Sequence, residues 1–213
     1  MHLKPYISPE CVVTMADGSY KSVAELTEGD EVQTYDMDTE EFDSANIHVN
    51  EQTSAKIVRI SNIEVNQRDI IKLNLSPEQV WVEGTVDGEE GEWKDSGDGK
   101  TVTLHSQTAV MGGSGLGWLV GNIDKVIKTS PTDEPEEDLR QKFHEIETGV
   151  AIQMDHGDEL NMRKVESIEK MSGDGVEQYR LIVLQDGDSV FVNDVMVGVT
   201  RQDDFGNLTS QSV

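Results

Sequence analysis

The sequence predicts an all-β protein of many short strands with one short helix. Three observations carry that expectation. Short apolar, β-branched runs recur along the whole chain. Turn pairs separate them, at Asp17-Gly18, Gly29-Asp30, Asp87-Gly88, Gly97-Asp98 and Asp186-Gly187. Only one segment, Glu136–Glu147, repeats its apolar residues at helical period.

Met1–Glu10 reads as a short leader, extended around Pro5 and Pro9 and either paired along a neighbour's edge or loose. In Cys11–Tyr35, Val12 and Val13 run into the turn Ala16-Asp17-Gly18-Ser19, where Gly18 can supply a positive φ. A second extended run, a short turn at Val23–Leu26 and a tight turn at Glu28-Gly29-Asp30 then launch a strand over Glu31–Tyr35. Asp36–Thr53 is acidic and reads as a surface loop or hairpin extension. Lys56–Ile60, Asp69–Leu75 and Gln79–Glu83 read as strands, and Gly84–Lys100 as exposed hairpin tips. Strand resumes over Thr101–Met111, followed by a turn at Gly112–Trp118 and short strands at Leu119-Val120 and Lys125–Ile127. Gly113-x-Gly115 is read as a plain turn and not a phosphate cradle, because no βαβ pattern surrounds it. The helix over Glu136–Glu147 spaces Leu139, Phe143 and Ile146 on one face, opens with acids and has Gly149 past its end. Val150–Met154, Lys164–Met171, Gln178–Leu184 and Ser189–Val199 complete the strands, ahead of a polar tail at 201–213. Segments 36–53, 84–100 and 132–149 hold too little apolar area to offset their ordering entropy. They are expected as peripheral insertions in one domain spanning 11–200.

Composition narrows the function classes. At 213 residues the chain can close one large β domain. With 35% hydrophobic and only 5% aromatic residues, its core should be built from Val, Ile, Leu and Met. The formal charge of −25, from 42 acidic against 17 basic residues, argues against a nucleic-acid partner, and no basic patch offsets it. A single cysteine rules out an intrachain disulfide. No apolar run is long enough to span a bilayer and the N-terminus lacks a signal core, so a soluble protein with no membrane partner is expected. His2, His48, His144 and His156 lack metal-ligand spacing, and Asp133–Asp138 does not follow an EF-hand loop. Neither metal nor cofactor is expected.

The block from Cys11 to Val32 resembles the opening of the Hint family, the hedgehog/intein self-processing domains. There a Cys or Ser nucleophile precedes an Ala-Asp-Gly turn and a Leu-x-x-Gly-Asp-x-Val strand start. Cys11, Thr14, Ala16, Asp17, Gly18, Leu26, Gly29, Asp30 and Val32 stand in those places. Gln178–Val183 is similar to the family's penultimate strand, and Phe191 and Asn193 match its closing stretch. That stretch ends in the family on His-Asn; here Gly198 and Val199 hold those positions. The resemblance implies a flattened, horseshoe-like disk whose two ends meet at the centre, so Cys11 and Asn193–Val199 are expected side by side.

The resemblance also implies a chemistry. In the family a Thr-x-x-His motif activates the peptide bond preceding the nucleophile. Thr103-Leu104-His105-Ser106 has the strand context, with His105 one position early and Ser106 in the motif's His place. Ser76–Val82 has the shape, with Ser76 for Thr and Gln79 for His. The catalytic or vestigial set is therefore Cys11, Thr103 and His105. Cys11 would attack the Glu10 carbonyl in an N–S acyl shift, Thr103 would donate a hydrogen bond, and His105 would protonate the leaving amine. A one-residue slip turns a strand side chain to the opposite face, so His105 is expected to point away from that peptide. Val199 has no side-chain amide to cyclise, which excludes splicing at that junction.

The expected function is a non-splicing Hint-like module, a structural or interaction component of a larger assembly such as a phage virion. Its partners would be other proteins, and oligomerisation stays open. The rival is an autoprocessing domain that cleaves before Cys11. An acidic β-domain stabilised by Ca²⁺ rests on charge alone. Beside these stands a plain reading: a lone Cys next to Val-Val is a small buried hydrophobe, and a lone strand histidine a hydrogen-bonded one.

Overall fold

A computed structural model describes residues 6–48, 61–64, 69–76, 98–113, 115–129, 135–155, 157, 159–172, 178–202 and 208–209. In chain order the first half gives β1 (Tyr6–Ile7), β2 (Val12–Thr14), β3 (Tyr20–Ser22), β4 (Glu31–Asp36), β5 (Glu41–Asn46), β6 (Ser61–Glu64), β7 (Asp69–Leu75) and β8 (Lys100–His105). Then come β9 (Val110–Met111), β10 (Trp118–Val120), helices α1 (Ile123–Thr129) and α2 (Glu136–Lys142), β11 (Phe143–Glu145), β12 (Ala151–Asp155) and β13 (Leu160–Ser172). The chain closes with β14 (Gln178–Leu181), β15 (Val183–Leu184), β16 (Ser189–Val192), β17 (Val195–Gly198), β18 (Thr200–Gln202) and β19 (Leu208–Thr209). The all-β expectation is met.

The main sheet runs β11-β10-β9-β17-β12-β13-β7-β8-β1-β14-β6, with β16 joining β17 to β2 and β2 to β3. The long β13 is its pivot: its first part pairs with β12 and its second with β7, across an irregularity between Val165 and Ser167. Such a bulge bends a strand enough for one segment to serve two neighbourhoods. The core is aliphatic, as composition requires, with Val13, Val32, Ile47, Leu73, Leu104, Ile152 and Val192 in one cluster. The few aromatics gather in a second cluster with Trp118, Phe143 and Phe191.

The turns of the first block have the predicted chemistry. Asp17 accepts the Ser19 amide at 2.9 Å, and Gly18 sits at φ +79°. Val23–Glu25 forms one 3₁₀ turn capped by the Ser22 hydroxyl. Asp30 clamps its own turn, taking the Thr27 hydroxyl at 3.1 Å and Lys21 Nζ at 2.7 Å.

Several boundaries differ from the sequence reading. Of the two states open to the leader the paired one holds from Tyr6, between two strands and not at an edge: β1 lies between β8 and β14, and Ile7 is fully buried. Lys125–Ile127 is helical within α1, because the Asn122 side chain accepts the Lys125 amide and caps the first turn. The helix expected over Glu136–Glu147 stops at Lys142. Phe143 turns extended and starts β11, parallel to β10, which keeps both Phe143 and Ile146 in the core. Ser189–Val199 is a hairpin and not one strand. Asn193 and Asp194 at φ +48° and +67° form its two-residue turn, and Val192 pairs with Val195. Part of the polar tail is structured, since β18 and β19 form a small sheet with β15. In 36–53 the segment Met37–Glu41 is exposed, whereas Ala45, Ile47 and His48 are buried. In 132–149 the acidic start of α2 is exposed and Leu139 is buried. Lys56–Ile60, Gln79–Glu83 and nearly all of Gly84–Lys100 lie outside the described residues.

Candidate functional site

Cys11 begins where the loop after β1 turns into β2. Its amide bonds to the Ser8 carbonyl at 3.1 Å, and its carbonyl receives the Val23 amide at 2.9 Å. These bonds fix the residue so that its side chain points inward, at 2% exposure. The thiol donates to the Thr103 carbonyl at 3.8 Å. Burial pushes its pKa above the ordinary thiol value, and the Glu10 carboxylate adds to the shift. Only the protonated form can keep the hydrogen bond to Thr103, so the geometry and the low polarity favour the same neutral state.

Asn193 completes this corner. Its Oδ1 accepts the Val12 amide at 2.9 Å, its Nδ2 donates to the Thr101 carbonyl at 2.7 Å, and its own amide donates to the Val12 carbonyl at 2.9 Å. One side chain thus ties β2, β8 and the β16–β17 turn together. Asp194 beside it pairs with Lys100 at 2.7 Å. The Tyr20 phenol is pushed up to about 12 by desolvation, by its hydrogen bond to Asp194 and by the charges of Asp194 and Asp155.

The expected closeness of Cys11 to the last core strand is met at its Asn193 end only. Val199 lies past the other end of β17, its amide on the Asp188 carbonyl at 3.0 Å. From Val195 to Gly198 the chain advances roughly 10 Å at about 3.3 Å per residue. The neighbours at that far end are different residues. The Gly198 amide donates to the Ala109 carbonyl at 3.0 Å, and the Thr108 hydroxyl donates to the Tyr6 carbonyl at 3.1 Å. N-terminal backbone therefore meets the end of β17 through Tyr6 and the Thr108–Ala109 corner.

Thr103 and His105 share one face of β8. Thr103 meets Cys11 through its backbone carbonyl. His105 is 3% exposed; its ring stands edge-on to Tyr6 at 5.3 Å, and its Nδ1 accepts the Gln107 amide at 3.1 Å. The acceptor role of Nδ1 assigns the ring proton to Nε2 in the neutral imidazole. The structure thus brings Cys11 to Thr103 and Asn193, while His105 is engaged with Tyr6 and Gln107. In the competing stretch Ser76 is described and 77–82 lie outside the described residues.

The sequence reading missed Tyr6, Thr108 and the bridging role of Asn193. Asn193 had a signal, because Asn-Asp flanked by β-branched runs is a hairpin turn pattern. The Tyr6–Thr108 contact had none, since its partners are 102 residues apart. Among the described residues no group of three or more His, Cys, Asp and Glu could hold a metal ion. No described helix is long and apolar enough to cross a membrane.

Comparison with solved structures defines the class as a Hint-type, intein-like fold. A DnaB intein from Synechocystis sp. PCC 6803 superposes with a TM-score of 0.56 at 13% identity, covering 91% of this chain and 97% of that one. A bacterial intein-like domain from Clostridium thermocellum gives 0.53 at 12% identity, covering 93% and 99%. The PabCDC21-1 intein gives 0.54 at 9% identity, covering 91% and 98%. Identities this low carry the fold and leave the chemistry to this chain's own residues. The sequence matches no protein-family profile. It matches no curated protein either.

Proposed function

We propose that this protein is a Hint-fold domain that does not process itself and serves as an interaction module of a larger protein assembly. The state of Cys11 is the observation that supports this reading. An acyl shift needs a thiolate aimed at the preceding carbonyl, with an acid beside the leaving amine. Cys11 is buried, its pKa is raised, and its thiol is committed to Thr103. His105, the acid the resemblance suggested, packs on Tyr6. Val199 is buried and apolar and offers no side-chain amide for C-terminal cleavage. On this reading the domain acts through its surface, and a component of a virion or of another multiprotein system is the setting it favours.

The intact mass of purified protein, incubated with and without excess dithiothreitol, tests it. The full-length mass should persist in both. Loss of the mass of Met1–Glu10, abolished by Cys11→Ala, would establish an autoprocessing domain instead.

A further inference from the structure

We infer that Lys100 and Asp194 join in an intramolecular amide bond, with the Tyr20 phenol beside the reacting carboxyl group. The product is a covalent tie between β8 and the β16–β17 turn. It is a self-modification separate from the chemistry expected at Cys11, and it does not depend on the interaction-module reading.

Lys100 Nζ lies 2.7 Å from Asp194 Oδ2, and the Asp194 side chain is only 9% exposed. The carboxyl carbon is one bond beyond that oxygen, so nitrogen and carbon stand near the roughly 3–3.5 Å of a near-attack contact. Neighbouring residues hold both partners in register. Asn193, next to Asp194, donates to the carbonyl of Thr101, next to Lys100, at 2.7 Å. The Asp155 amide donates to the Asp194 carbonyl at 2.7 Å, and the tight turn sets Asp194 at φ +67°. Two groups held this way react as one molecule, at an effective concentration of about 10⁵ M or more.

The Tyr20 phenol hydrogen-bonds the Asp194 side chain and stays protonated at neutral pH, its pKa pushed up to about 12. A donor at that place stabilises the negative oxygen of a tetrahedral intermediate. Other ion pairs lack this combination. Lys170–Glu145 leaves both partners in solvent, and Asp30 divides its oxygens between Lys21 and the Thr27 amide and hydroxyl. The step balances within the pair. Lys100 passes one proton to Asp194 Oδ2 across their contact, and the neutral amine attacks Cγ to form the C–N bond. A second proton moves from nitrogen to the departing oxygen, the C–O bond breaks and one water leaves. The amide keeps a donor and an acceptor where the ions stood, and it ends the cost of holding a charged carboxylate away from water.

The full chain, made by cell-free synthesis and sampled over time at neutral pH, is weighed intact and then digested with trypsin. The whole chain should become lighter than its sequence by one water. Trypsin should no longer cut after Lys100, and a branched peptide should carry both residues. Lys100→Arg preserves the charge of the ion pair and should keep the full sequence mass. Tyr20→Phe, at a site 59% exposed, should slow the loss of water about tenfold or more. Circular dichroism confirms that both variants fold. An unchanged mass in the wild-type chain, water loss that survives Lys100→Arg, or an undiminished rate in Tyr20→Phe would each overturn the inference. The loss should be equal with and without dithiothreitol and leave Met1–Glu10 attached, so this inference and the non-processing reading fail separately.

Discussion

Asn193 Nδ2 donates to the Thr101 carbonyl at 2.7 Å, joining residues 92 positions apart. The same side chain holds the Val12 amide, so the residue at a tight turn also fastens two strands. Asn tolerates the positive φ better than most residues. Asn193→Ala should therefore cost about 3 kcal/mol, combining lost hydrogen bonds with backbone strain. Asn193→Gly, which relieves the strain alone, should cost about 1–2 kcal/mol. Urea unfolding with an unchanged m-value separates the two. Equal costs would show that strain at φ +48° is unimportant.

Asp30 predicts the acid limb of stability. Burial raises its pKa, but the Lys21 ammonium and the Thr27 donors outweigh that, and the net direction is below the ordinary carboxylate value. A folded pKa below the unfolded one gives stability that is present above the unfolded value, near 3.8, and lost as pH falls through the folded value. Asp30→Asn should cost about 1 kcal/mol at neutral pH, and the difference from wild type should vanish in acid. His48 acts at higher pH. Burial holds its imidazole below the usual 6.5, against the pull of Glu28. Its contribution is present above 6.5 and fades as pH falls, because protonation favours the unfolded chain. A flat stability between pH 7 and 5, on the order of 0.3 kcal/mol, would contradict the His48 part.

What was legible in the sequence was what local chemistry decides. Ala16-Asp17-Gly18 and Gly29-Asp30 write their turns in their own residues, and an aspartate reaching two or three positions along needs no tertiary partner. Tyr6–Ile7 reads as extended, but its neighbours could not be named, because its pairing residues are Leu104, Arg180 and Leu181. Phe191–Val197 reads as one β-branched run, and the Asn-Asp turn inside it is visible only once positive φ is considered. At the candidate site Cys11 was conspicuous as a residue, but what it touches is a backbone carbonyl, which carries no side-chain signal. The surface beside the β4–β5 hairpin brings Asp36 next to Asp188 and has no trace in any single stretch.

Among the described glycines, Gly121 leaves the least room for a side chain. A Cβ built there would lie 1.6 Å from Ile71 Cδ1 and 2.6 Å from its Cγ1. Gly121→Ala should destabilise by about 1–3 kcal/mol through overpacking. Ile71→Ala opens a cavity costing about 2–5 kcal/mol alone, and the added methyl should partly fill it. The double variant should then be more stable than the summed single losses, by about 0.5 kcal/mol or more. Simple additivity would show that the two groups do not compete for space.

The reactivity of Cys11 bears directly on the proposed absence of processing. Free thiols react as thiolates, and this thiol is 2% exposed with its pKa raised by burial first and by Glu10 second. Because the folded value lies above the unfolded one, the residue's stability contribution is full below the unfolded pKa and lost as pH rises through the folded value. Ellman's reagent should therefore label the native protein at least about tenfold more slowly than urea-unfolded protein at neutral pH. Labelling at high pH should rise together with loss of the folded signal, not ahead of it. Glu10→Gln should leave native labelling slow, since its charge is the smaller cause; Asn193→Gly, which loosens the corner above Cys11, should speed it. Fast labelling of the folded protein at neutral pH would mean that the thiol is available, and with it the first requirement of an acyl shift.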